Sequence, residues 1–454
     1  MSMRLIESLA TTPALAELFS DQAVLQAMLD FEAALARAEA RSGVIPKEAA
    51  EAITAAAKPA SFDIPALAGA AFRAGTLAIP LVKALTQKVR TNNAEAARFV
   101  HWGATSQDVV DSAMSLLLQR AEPILSGDLL RLEKALAALA ERHKDSVMIG
   151  RTLLQAAPPV TFGLKAAGWL ASVRRGRHRL QNGFRAAAVL QFGGASGTLA
   201  SLGDRGMAVI EALSTELGLE TPAAPWHTQR DQLATLICAC GVLTGSLGKM
   251  ARDISLLMQN EVGEASEAAG EGRGGSSTMP NKRNPTACSL TLTAAHRVPG
   301  LVASFLAAMV QEHERGLGGW QAEWPVVAAV VQSTGVAIAS MAEAAEGLSV
   351  DAEQMRANIE RTHGLIFAER AMMLLGAKIG RDVAHKILEG AARKSVNEGR
   401  NLAAVLAEIP EVTAHLSPAD LKQLESPEQY LGSAEAFRKA LLADSGRTND
   451  EKEQ

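Results

Sequence analysis

Residues Asp231–Glu261 run for thirty-one positions without a proline, and the first half is apolar on nearly every side before Lys249, Arg252 and Asp253 appear. A helix with no polar face must be covered by other helices. Thr286–Val310 and Val326–Leu348 make the same demand. At the helical rise such segments are roughly 35 to 45 Å long, and one chain supplies few helices to cover that length, so subunits are expected to pool theirs. Composition agrees. Hydrophobic residues make up 48% of the chain but aromatics only 4%, with a single tyrosine, which leaves a core of Ala, Leu, Val and Met. That favours packed helices over sheets. The uncharged run 326–342 contains Gln332, Ser333, Thr334 and Gly335; it is slightly short for a membrane span and is expected to be a buried bundle helix.

At 454 residues the chain has room for about three domains. Helical spacing of Val24, Met28, Phe31 and Leu35 predicts a helix over 21–42, with Gly43 just past its end and Pro46 opening the next. Residues 109–139 read as helix broken near Pro123, and helical segments are expected from about Pro159 to Leu190 with no useful strand pattern between. Beyond Asp351 the helices shorten, with turn signals at Gly364, Gly380, Pro410 and Pro418. The expected division is an N-terminal helical domain over 1–110, a central long-helix bundle over 111–350, and a small helical domain over 351–454. Residues 445–454 read as a frayed, charged tail.

A net charge of −4 gives no footprint for nucleic acid, so an anionic substrate needs a local basic pocket. Cys238, Cys240 and Cys288 lack metal or redox spacing and read as small buried hydrophobes in a reducing compartment. The N-terminus has no signal-peptide core, so a cytoplasmic location is expected. The nine histidines form no HxxxH or HxH cluster, so no metal is expected. Gly193-Gly194 and Gly318-Gly319 are not dinucleotide fingerprints, and no cofactor is expected.

The segment Gly274-Gly275-Ser276-Ser277-Thr278-Met279-Pro280-Asn281-Lys282-Arg283-Asn284-Pro285 concentrates glycines, hydroxyls, cations and a helix start. It follows the polar, Gly-rich run 264–273 and reads as a loop. Asn284 is placed to cap the helix that follows, with Pro285 as its first residue. The helix's free N–H groups, with Lys282 and Arg283 beside them, would attract an anion. This order of residues resembles the GSSxMPxKxNP signature of the fumarase/aspartase superfamily. The resemblance implies an all-α, three-domain fold with a long central helix bundle, a homotetramer with active sites at subunit junctions, and Ser276 as the base acting on the carbon alpha to a carboxylate. It also implies that Lys282 and Asn284 hold a substrate carboxylate.

Two further motifs fit. His101-Trp102-Gly103-Ala104-Thr105-Ser106-Gln107-Asp108 reads locally as an N-cap box built on Thr105, Ser106 or Asp108. It also resembles a superfamily motif in which Thr105 and Ser106 bind substrate carboxylate with His101 nearby. The stretch Gly150–Gly163 contains Arg151-Thr152-Leu153-Leu154-Gln155-Ala156. Adenylosuccinate lyases carry a catalytic histidine where this chain has Leu153, and cycloisomerases often place one where it has Ala156. Gln155 in this stretch is a candidate substrate contact.

Gln311–Trp324 separates the branches. Residues that hold a nucleotide phosphate in adenylosuccinate lyases are replaced by Trp320, Gln321 and Trp324, while Arg315 remains as a candidate substrate contact. This segment, Leu190–Gly197 and Pro225–Asp231 all resemble the carboxymuconate cycloisomerase branch. That branch implies a lactone-forming enzyme of aromatic catabolism acting on a muconate whose carbon-3 substituent is a carboxylate or a related group such as sulfonate. Alternatives are a fumarate-releasing C–N lyase of the adenylosuccinate lyase type and a catalytically silent structural tetramer.

Overall fold

The computed structural model describes residues 5–268, 274–275, 278–279 and 282–446. Helix dominates, as the composition requires. The chain divides into two compact units, one of Met1–Leu129, Gly176–Gly248 and Leu290–Ala339, the other of Leu130–Arg175, Lys249–Ser289 and Ser340–Gln454.

The first unit opens with α1 (Pro13–Leu18), α2 (Asp21–Arg41), α3 (Lys47–Ala56), α4 (Ile64–Ala74) and α5 (Ala78–Asn92). Ser20 caps α2, and Gly43 follows it with φ 71°. That backbone costs a side chain dearly, which is why glycine ends this helix. Helix α6 (Ser106–Arg142) continues past the last residues of this unit. It is not broken at Pro123, which sits inside one continuous helix. Leu116, Leu117, Leu118, Ala121, Leu125 and Leu129 are all buried around it. Their burial, about 1.5 to 3 kcal/mol for each leucine, outweighs the roughly 3 kcal/mol that an interior proline costs.

Long helices α7 (Phe162–Ala187), α9 (Asp231–Leu257), α10 (Thr286–Ala308) and α11 (Gly319–Glu346), with the shorter α8 (Gly206–Leu217), complete the bundle. Within the first unit they pack through small residues. A Cβ at Gly183 would lie 2.9 Å from the Leu236 backbone, and one at Gly248 2.6 Å from the Ala295 side chain. Helices α9, α10 and α11 are long and apolar enough to cross a membrane, yet α9 and α11 bury 61% and 67% of their most apolar windows inside the chain. Helix α10 buries only 22%.

The second unit corrects the expectation of uninterrupted helix. Strands β1 (Val147–Thr152) and β2 (Gln155–Thr161) form an antiparallel hairpin, and α7 begins at Phe162 rather than near Pro159. Pro158 and Pro159 forbid helix just before them. The turn consists of Leu153 and Leu154, with φ 50° and 65°. Strands β3 (Ala265–Ser266) and β4 (Ser349–Val350) make a second short pair. After β4 come α12 (Ala352–Glu360), α13 (Ala368–Ile379), α14 (Arg381–Glu398) and four further α-helices. Val147 and Ile149 share a core with Ile359, Phe367, Leu375 and Leu406.

Candidate functional site

In the first unit the residues ahead of α6 are held from below by one buried carboxylate. Asp108 is completely buried, and its Oδ2 accepts the N–H of Thr105 at 3.0 Å and of Gly194 at 2.9 Å. Its Oδ1 accepts the N–H of Gly193 at 3.0 Å and lies 2.7 Å from His227 Nε2. This residue is therefore more than a helix cap. It ties the start of α6 to the glycine turn at 193–194 and to the segment before α9.

One turn further along, Asp111 accepts two hydrogen bonds from Arg230, at 2.8 and 3.1 Å, and one from the Trp320 indole at 3.0 Å. The same guanidinium donates to Glu323 Oε2 at 2.6 and 3.0 Å and to Oε1 at 3.2 Å, and lies 4.6 Å over the Trp226 ring. All three charged residues are buried. Burial opposes charge on Arg230, but Asp111 and Glu323 hold it above its ordinary pKa; burial pushes the Glu323 carboxyl up against the pull of Arg230. Breaking such a cluster by removing one partner costs about 3 to 5 kcal/mol. The frame under the motifs is rigid for that reason.

On this frame Arg315 Nη1 donates to Thr105 Oγ1 at 2.5 Å. Two sequence-predicted contacts from distant segments are thereby brought together, with Ser106 in the first turn of α6 beside them. His101 Nδ1 lies 2.7 Å from Glu32 Oε1. Burial works against its charge, but Glu32 prevails and raises the imidazole above its usual 6.5. His101 and His313 both adopt left-handed backbone, with φ 60° and 47°. The His313 carbonyl accepts from Thr228 Oγ1 at 3.0 Å. Strain of this kind gathers at functional loops.

The second unit holds the remaining candidates. Gln155 is exposed at the end of the hairpin, paired with Thr152, and Ala156 pairs with Arg151. Arg151 donates to both oxygens of buried Glu264, at 2.7 and 2.9 Å, and Asn358 Nδ2 joins at 2.8 Å. Lys282 is exposed, and its backbone N–H bonds Met279 at 3.0 Å. The N–H of Asn284 donates to the Gly274 carbonyl at 2.9 Å, and its amide to Gly275 at 3.4 Å. Ser276 lies outside the described residues.

The N-terminus of α10 departs from expectation. Asn284 does not cap it. The carboxylate of Glu267 accepts the N–H groups of Ala287 at 3.0 Å and Cys288 at 2.9 Å. A full negative charge suits the helix dipole better than an amide and takes two donors at once. These N–H groups are not open to a substrate anion. The neighbouring Cys288 thiol is pushed up by burial and by Glu267, while burial alone dominates at Cys240, pushed up to about 12. Both are completely buried, as expected of small hydrophobes, whereas Cys238 is only partly buried.

Sequence reasoning missed Glu267, Asp111 and Glu323, and gave Asp108 only a capping role. Each is an acid inside a stretch already singled out or beside one. Their partners lie up to 209 residues away, so only a buried acid on an otherwise apolar helix face signals them.

Residues 7–300 match the family described as Lyase, and residues 364–441 match the family described as Adenylosuccinate lyase C-terminus. The chain belongs to this lyase family, the fumarase/aspartase superfamily. Within it the chain is 52% identical to the 3-carboxy-cis,cis-muconate cycloisomerase of Bradyrhizobium diazoefficiens, over 96% of this chain and 98% of that one. It is 51% identical to the protein of the same name from Pseudomonas aeruginosa, over 94% and 93%. The crystal structure of the 3-carboxy-cis,cis-muconate lactonizing enzyme from Pseudomonas putida superposes with a TM-score of 0.91 at 46% identity, covering 98% of this chain and 99% of that chain.

Proposed function

We propose that this protein is an intramolecular lyase that converts 3-carboxy-cis,cis-muconate, or a closely related 3-substituted muconate, into its lactone. One observation carries the choice of branch. In the segment where adenylosuccinate lyases grip a phosphate, the Trp320 indole is buried on Asp111 and Trp324 packs edge-on against it at 4.7 Å. Neither indole gives a phosphate a charged partner. Full-length similarity to proteins named as cycloisomerases supports the same reading.

In the reaction one substrate carboxylate oxygen adds to an alkene carbon. The π pair moves toward the neighbouring carbon and onto its carboxylate, and that carbon then takes a proton. Ser276 is proposed to exchange this proton. Charge develops on the carboxylate in the transition state, so donors placed there lower the barrier, each by about 3 kcal/mol. Lys282 and Asn284 are proposed for that carboxylate. Thr105, Ser106, Arg315, His101 and Gln155 are proposed for the other acidic groups of the substrate. No cofactor enters this scheme, and the location is read as cytoplasmic. The three-part division at residues 110 and 350 is kept as part of this reading.

The poorly covered face of α10 supports assembly into a homotetramer, in which copies pool their long helices and motifs from different copies meet at shared sites. The product tests the reading: lactonisation leaves the substrate mass unchanged, whereas release of fumarate from a succinyl adduct would instead establish a C–N lyase. With Ala156 in place of a histidine, 3-sulfomuconate is expected to be accepted as well; comparison of kcat/KM for the two muconates checks this, and strict rejection of the sulfonate limits the substituent to carboxylate.

A further inference from the structure

The base of the stretch that carries Lys282 and Asn284 is met by the Glu267 side chain. Glu267 precedes it and α10 follows it, and the Glu267 carboxylate binds the N–H groups of Ala287 and Cys288. Glu267 is 8% exposed, so the contact is shielded from competing water. Nearer the tip, the N–H of Asn284 pairs with the Gly274 carbonyl. Upstream, Glu264 is fixed by Arg151 and Asn358, just before the two-residue strand that Glu267 follows.

A carboxylate on two backbone N–H groups at a helix start is among the stronger polar contacts a protein makes. Its position sets where α10 begins, and so where Lys282 and Asn284 stand four and two residues before Thr286. It also fills the anion site that the helix start would otherwise offer. We propose that Glu267 is a positioning residue: it fixes Lys282 and Asn284 against α10 and bars the substrate carboxylate from the helix N-terminus, so that this anion must engage the Lys282 side chain. This rests on the cycloisomerase reading for its substrate but not for its structural half.

The test compares wild type with Glu267→Ala and Glu267→Gln by two readouts. Trypsin cleavage after Lys282 and Arg283, mapped by mass spectrometry on the folded protein, is expected to accelerate about tenfold in Glu267→Ala, while cleavage elsewhere is unchanged. The kcat/KM for 3-carboxy-cis,cis-muconate is expected to fall about tenfold or more, with KM raised and kcat lowered, because Lys282 and Asn284 hold the carboxylate in the ground state and more strongly in the transition state. Glu267→Gln keeps one acceptor oxygen and is expected to fall between. A merely structural fault would lower the active fraction, and so kcat, with KM unchanged. Wild-type cleavage and wild-type KM in a folded variant overturn the proposal; if Glu267→Ala does not fold, Glu267→Gln decides by the same two readouts. A wild-type protein inert toward the muconate defeats the activity reading alone, and the trypsin comparison still judges Glu267.

Discussion

Glu39 lies wholly inside the chain on α2, and neither of its carboxyl oxygens has a hydrogen-bond partner. Burial, and then the charge of Glu32 on the same helix, push its pKa up to about 9 from 4.5. The folded state holds this proton more tightly than the unfolded one. The stability involved is therefore fully present below pH 4.5 and is lost progressively as pH rises toward about 9. Glu39→Gln removes the titration and should stabilise the protein at pH 7 by about 2 to 3 kcal/mol, with no gain at pH 4. Urea unfolding at the two pH values checks this; an equal effect at both would contradict it. None of this was legible in the sequence, where Glu39 is one of several acids in an alanine-rich helix. The serine motif and the Thr105 and Arg315 motifs were legible, because spacing along the chain carries them. The carboxylates beneath them, Asp108, Asp111 and Glu267, depend on neighbours that only folding brings close.

Elements followed the sequence wherever local chemistry and burial agree. Helix α2, with Gly43 after it, and the proline-free α9 are read directly from apolar pattern and the closing glycine. Two elements were misread. Pro123 signals a break, but the leucines on either side gain more from burial than the missing hydrogen bond costs. The β1–β2 hairpin was hidden because its turn is Leu153-Leu154, both with positive φ, where Asn-Gly is the recognisable choice. Holding L-residues in that conformation costs about 1 to 2 kcal/mol each, and the two side chains are 97% and 76% exposed. Leu153→Asn combined with Leu154→Gly should therefore raise stability by about 1 to 2 kcal/mol. Thermal unfolding of the double variant measures it, and a lower midpoint would show that the leucines gain burial from a neighbour.

At the scale of the whole molecule, the bundle helices set what the chain needs from other copies. Helices α9 and α11 bury most of their apolar windows within one chain, whereas α10 buries only 22% of its window and exposes Leu306 at 43%. Covering that face is the physical basis for the proposed tetramer. Leu306→Glu puts a charge on it and should shift the protein toward smaller species in sedimentation or light scattering, with activity falling alongside if sites are shared. An unchanged assembly would place the interface elsewhere.

The central claim, that the serine motif on this helical frame closes a lactone from a substituted muconate, is met most directly by assaying wild type and Ser276→Ala side by side. Each purified protein is mixed with 3-carboxy-cis,cis-muconate near neutral pH, and loss of the conjugated diene absorbance is followed with lactone quantified at the end. The account predicts rapid loss with matching lactone for wild type, and a folded Ser276→Ala whose turnover falls by on the order of a thousandfold or more. A folded wild type that leaves the diene intact, or a Ser276→Ala variant that matches it, would contradict the account.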